Sequence, residues 1–249
     1  MGLLDIFLSK EKRQEKARSK YIGRAVSKYA QSPERFHALE KLAADGSEDA
    51  LHGLLRRFAL QYDKTIEDEQ EKEWVFEALV SKGTAALPAV RRYLKSAESV
   101  SWPLRVLARI AESRDEELDV IKEVLARHEP GYERDPTKKI QLLGYLGQLK
   151  HADAAGIIAP YLEDMDEGVR YAAIEGLVRQ KNEDVGREPL LALFVSDKED
   201  SLRLRLRIAE GFAELGWLVH GHRGEVEKKL PDAYTLDREG HIKKKPGKE

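Results

Sequence analysis

Apolar residues along the chain recur at helical spacing, in runs that come in pairs. In residues 162–178 the positions Val169, Ala172, Ala173, Leu177 and Val178 fall on one stripe, broadened by Ile174. A basic residue sits early in each such run: Arg35, Lys72, Arg105, Lys139, Arg170 and Arg203. These anchors are 37, 33, 34, 31 and 33 residues apart. A regular period in that range predicts repeated helical hairpins, each too small to bury its own apolar face.

A second amphipathic helix follows each of the first five runs. The segments are EDALHGLLRRFAL, AALPAVRRYL, EELDVIKEVLARH, DAAGIIAPYL and REPLLALFV. Turn chemistry separates the partners. Gly46 in Asp45-Gly46-Ser47 is free to adopt positive φ, and Ser47 is placed to cap the next helix; Gly83-Thr84 is read the same way. Ser32-Pro33 reads as N-cap and first helical position. Pro88 lies near a helix start, whereas Pro160 is expected to bend its helix. Residues 129–136 form the longest irregular stretch. Before the repeats, residues 1–31 predict a basic amphipathic helical extension; the repeats occupy 32–216. Residues 217–249 predict a small non-helical cap, in which Tyr234, Leu236 and Ile242 flank a turn, and a disordered basic tail, KKKPGKE.

The fold class expected is therefore all-α, an α-solenoid of about six hairpins. At LEDMDEGVRYAAIEGL the chain resembles the HEAT repeats, in particular the short bacterial kind of phycobilisome-lyase-like proteins, through Leu162, Asp164, Asp166, Val169, Arg170 and Ala173. Asp197, Leu202 and Arg203 repeat part of that pattern in the sixth unit. The resemblance implies a superhelix of antiparallel helix pairs whose second helices line a concave face, in proteins that mostly hold other macromolecules. A fold fixes no chemistry.

Charge and composition narrow the function. Net charge is only -2, but residues 1–30 carry +5 and residues 238–249 carry +3, so the remainder carries -10. An acidic body argues against a general nucleic-acid binder. The absence of cysteine excludes disulfides and thiolate chemistry, and it fits a reducing cytoplasm. No membrane span, secretory signal or myristoylation pattern is expected, since Ile6 stands where the last requires Ser or Thr.

Candidate chemistry is sparse. The ladder Lys72, Arg105, Lys139, Arg170 and Arg203, with Asp164 and Asp197 ahead of two members, is read as structural: the acids favour helix N-termini and pair with the cations. Arg56, Arg57, Arg91 and Arg92 occupy equivalent places on second helices, with Lys122 about one repeat later, and are the candidate contacts for an acidic peptide. His220-Gly221-His222 lacks the ligand set of a zinc site. Trp74 and Trp102 are assigned to packing, and Trp217 to the end of the stack. Leu3, Leu4, Ile6, Phe7 and Leu8 form an apolar cluster followed by basic residues, a pattern suited to a membrane surface, a partner's groove or an end cap. The expected function is a non-catalytic protein-binding scaffold or adaptor, a monomer or weak oligomer, with no cofactor, metal or catalytic residue. The alternatives are a chromophore-lyase-like subunit assisting an enzyme and a nucleic-acid-binding HEAT-like protein.

Overall fold

The computed structural model describes residues 3–61 and 64–246, with side chains from residue 11 onward. Among them the chain is mostly helical: α1 (Leu3–Ala25), α2 (Ser32–Asp45), α3 (Glu48–Leu55), α4 (Thr65–Val80), α5 (Leu87–Ser96), α6 (Ser101–Ile110), α7 (Arg114–Leu125), α8 (Thr137–Leu146), α9 (Ala154–Ile158), α10 (Glu167–Gln180), α11 (Glu183–Val195), α12 (Leu202–Leu215) and α13 (Arg223–Lys229). All six basic anchors lie inside α2, α4, α6, α8, α10 and α12. The single sheet is an antiparallel hairpin, β1 (Tyr234–Leu236) with β2 (Ile242–Lys244), where alternating residues flank the Asp237–Gly240 turn. The expected cap is thus corrected in two respects: it contains α13, and the strand includes Lys243 and Lys244, which were assigned to a disordered tail.

The chain divides into two compact units, residues 1–120 and 121–249, with the boundary inside α7. In the first, each helix packs on its sequence neighbour or its next-but-one: α2 on α3 and α4, α3 on α5, α4 on α6. In the second, α10 packs on both α8 and α12, and α11 on α12 and α13. Stripes of leucine fill both interiors, among them Leu39, Leu51, Leu54 and Leu79 in the first and Leu143, Leu146, Leu177 and Leu190 in the second, all fully buried. Each such side chain contributes about 1.5–3 kcal/mol.

Local signals set the helix ends. Gly46 closes α2 at φ +65°, and the Ser47 hydroxyl accepts from the Ala50 N–H to open α3. Asp166, Asn182 and Ser201 cap α10, α11 and α12 in the same way. At α2 the cap is Gln31 rather than Ser32, because Glu34 reaches back to accept from the Gln31 N–H at 3.3 Å. Pro160 does not bend an α-helix; α9 ends before it, and the chain continues as a 3-10 helix over Ala159–Glu163. In that position its missing N–H costs little.

Two glycines mark close approaches. A Cβ on Gly147 would lie 2.8 Å from the Gly176 Cα, so α8 and α10 meet backbone to backbone. A Cβ on Gly53 would lie 2.5 Å from Ile22 Cγ1, so α3 offers α1 a hollow that Ile22 fills. Around that seat Arg18 pairs with Asp45 at 3.1 Å, and Arg24 pairs with Glu34 at 3.0 Å. These contacts lay the C-terminal part of α1 antiparallel along α2.

Candidate functional site

The first unit holds a groove of about 560 Å³ at the C-terminal ends of α3 and α5. Arg56, His52 and Tyr93 line it, with Leu60 and Ala97 supplying apolar surface. His52 and Arg56 are one helical turn apart, so they face the same way. The His52 ring meets Tyr93 edge-on, centroids 5.8 Å apart. Burial, seconded by Arg92 and Arg56, holds the His52 imidazole below its ordinary value, so it is neutral at pH 7. Burial pushes the Tyr93 hydroxyl up, and it too is neutral. Arg56 is exposed and has no carboxylate in ion-pair range among the described residues. The groove therefore offers one cation outside any ion pair beside an apolar and aromatic wall, with Glu98 and the hydroxyls of Ser96 and Ser99 along its edge.

The other predicted contacts go elsewhere. Arg92 is exposed but committed to Asp49 at 2.9 Å and Glu48 at 3.3 Å. Arg91 is half-buried on α5, and Lys122 is exposed in the second unit and does not line this groove. Arg57 corrects the expectation of an outward cation, since it is fully buried. It donates to Glu71 and Asp68 at 2.7 Å each and to the Leu60 carbonyl at 3.1 Å. Arg35, also fully buried, donates to the same Glu71 carboxylate, at 2.8 Å from Nη2. Lys72 closes the network on Asp68. Burial alone would push the Glu71 and Asp68 carboxyls up; the hydrogen bonds, from Arg35 and Arg57 at Glu71 and from Lys72 and Arg57 at Asp68, outweigh it and hold both below their ordinary values. This is a structural knot joining α2, α4 and the 3-10 turn Arg56–Ala59, and none of its charges is available to a ligand.

The rest of the ladder is also tied into packing. Lys139 is 1% exposed and reaches Asp164 at 2.8 Å and the Gly131 carbonyl at 2.8 Å. Asp164 accepts in addition from the Gly131 N–H at 3.0 Å. Together with the Tyr161 hydroxyl, which donates to the His128 carbonyl at 3.0 Å, they pin the 129–136 loop. Burial, with Asp164 second, pushes the Tyr161 hydroxyl up to about 12, which keeps it a donor. Arg170 pairs with Glu199 at 2.9 Å, and Asp197 with Lys229. Arg203 lies 4.0 Å over the Tyr171 ring and Arg105 4.0 Å over the Trp102 ring. Trp102 in turn stacks on Phe58, Trp74 tilts against Phe36, and Trp217 meets Phe212 edge-on.

Two histidine features carry no site. His222 bonds Glu188 at 2.8 Å. Asp237, Glu239 and His241 bring three ligand atoms together at the hairpin turn, but Asp237 already accepts from the Glu239, Gly240 and His241 N–H groups, and its other oxygen meets the His241 ring. Leu3, Leu4, Ile6, Phe7 and Leu8 lie along α1, with side chains outside the described residues. No helix among the described residues is long and apolar enough to cross a membrane. Comparison of the chain with family models, with curated proteins and with solved structures returned no match.

Proposed function

We propose that the protein is a non-catalytic binding module of the HEAT-like solenoid kind, and that the groove between α3 and α5 holds an acidic peptide segment. The period of the anchors and, within each unit, the packing of α2 on α4, α3 on α5, α4 on α6, α8 on α10 and α10 on α12 support the solenoid reading, because stacked hairpins bury their faces on one another in that way. Arg56 carries the functional reading. Arg92 on these elements is paired with acids and Arg57 is buried on them, whereas Arg56 is exposed at the groove with no carboxylate in ion-pair range among the described residues, Glu98 on the same groove included. A carboxylate on a bound segment supplies the missing partner, and an apolar side chain beside it covers Leu60 and Tyr93. Curved stacks gain affinity by summing modest contacts along an extended ligand, so one free cation fixes register more than it fixes strength.

The test is fluorescence anisotropy with a labelled peptide of glutamate and leucine, against wild type and Arg56→Glu. Wild type is expected to bind with an affinity that falls as salt rises. Arg56→Glu is expected to weaken it about tenfold, the effect of about 1.4 kcal/mol. Equal affinity for the two proteins, or none at low salt, removes the proposal.

A further inference from the structure

The pairs that seat α1 also show where it leaves the bundle. Arg24 meets Glu34 near the start of α2, and Arg18 meets Asp45 at its end. Gln14 and Ala17 still border a hollow with Lys41, Ala44 and Asp45 at that end, so the overhang is what precedes Gln14. Residues 11–17 are exposed without exception. Residues 3–13 at 1.5 Å per residue make an overhang of about 16 Å.

An isolated helix of that length is marginal in water unless something orders it. Its sequence indicates what. Five of the six residues 3–8 other than Asp5 are large and apolar, and Lys10, Lys12, Arg13, Lys16, Arg18 and Lys20 follow against only Glu11 and Glu15. By helical period, positions 3, 4 and 7 share the stripe of positions 21, 22 and 25, eighteen residues later, whereas 12, 13, 16 and 20 fall on the opposite side. A short apolar stripe backed by basic residues suits the boundary between lipid headgroups and acyl chains.

We propose that the projecting half of α1 is a hook for an anionic lipid surface. The cluster at positions 3–8 supplies apolar insertion, and the basic stripe supplies attraction to acidic headgroups. A second copy of the chain offers acidic charge as well. It is the poorer fit, because among the exposed large apolar side chains of the described residues (Tyr29, Ile66, Tyr132, Met165, Leu202 and Leu206) only Leu202 and Leu206 share a helix face, one turn apart on α12, against five to be covered. This proposal is independent of the peptide groove.

The full chain is mixed with phosphatidylcholine vesicles, with or without phosphatidylserine, at low salt, and sedimented. Pelleting is expected only with the anionic vesicles. Each basic residue near the surface contributes about a fivefold increase in partitioning, so Lys12→Gln/Lys16→Gln is expected to weaken it about 25-fold. Both lysines are exposed, so this variant tests the idea without touching the fold. Leu4→Asp/Phe7→Asp is expected to abolish pelleting while leaving the thermal unfolding curve in place. No pelleting of wild type on anionic vesicles, or pelleting that survives Leu4→Asp/Phe7→Asp, overturns the proposal. So does self-association lost in that variant without any vesicle binding, which assigns the hook to a second copy.

Discussion

Replacing Glu71 by glutamine changes one atom type in the buried knot of the first unit, and its cost follows from the geometry. The carboxylate is 3% exposed and accepts from Arg35 Nε and Nη2, from Arg57 Nε at 2.7 Å and from the Ser32 hydroxyl at 3.1 Å. Glutamine keeps the shape but turns an NH2 toward a guanidinium that is itself only a donor. Arg57, fully buried, then keeps Asp68 but loses the carboxylate at its Nε. Removing one partner from a buried ion pair costs about 3–5 kcal/mol, because the surviving charge stays out of water. With a urea dependence of about 2 kcal/mol per molar, the midpoint should fall by about 1.5–2.5 M. Trp74 and Trp102 lie in this unit and report its transition by fluorescence. The triple replacement Arg35→Met/Arg57→Met/Glu71→Leu should cost less than the single change, since it removes the charges together. The sign with pH also follows. Glu71 and Asp68 have folded values below their ordinary 4.5 and 3.8, so their contribution is complete above about pH 5.5 and is lost as pH falls through the lowered values. Glu71→Gln should flatten that acid limb. A glutamine variant whose midpoint matches wild type, with an unchanged acid limb, would refute the argument by showing that water reaches the knot.

Two further predictions concern the second unit. Asp164→Ala strips Lys139 of its buried anion and Gly131 of its acceptor; it should destabilise by about 3–5 kcal/mol and make residues 129–136 the first site of limited proteolysis, whereas an uncut loop would show that Tyr161 and the contacts of Lys139 with Gly131 and Glu133 suffice to hold it. Gly147→Ala puts a methyl 2.8 Å from the Gly176 backbone, where nothing flexible can yield; it should cost about 1–3 kcal/mol in urea unfolding, and a neutral result would mean that α8 and α10 sit farther apart than described.

Much of the fold is legible in the sequence because helical periodicity is local. Each anchor lies in a helix, and the turn at Gly46-Ser47 and the terminal β-hairpin are where the turn residues put them. The site was harder to read, since burial of a charge depends on partners far along the chain. Adjacency to Arg56 and the tendency of charged helix faces to meet water put Arg57 outside, whereas it is fully buried. A signal was present: Arg57 lies three residues after Leu54 and seven after Ala50, on the apolar stripe itself. Lys139 likewise precedes Leu142, Leu143 and Leu146 by three, four and seven, and Asp68 and Lys72 share the stripe of Val75 and Leu79. A charge in stripe register forecasts a buried partner. It does not name one, and Glu71 and Asp164 emerge only when α2 meets α4 and the 129–136 loop meets the end of the Ala159–Glu163 turn.

The hollow at Gly53 has a reach longer than its size. A helix turns 100° per residue, so holding Ile22 in one socket sets the compass bearing of every position upstream. Sliding α1 by a single residue would swing its lysines a quarter-turn and more. A missing methyl group on α3 thereby aims the far tip of a neighbour, as a keyway aims a shaft.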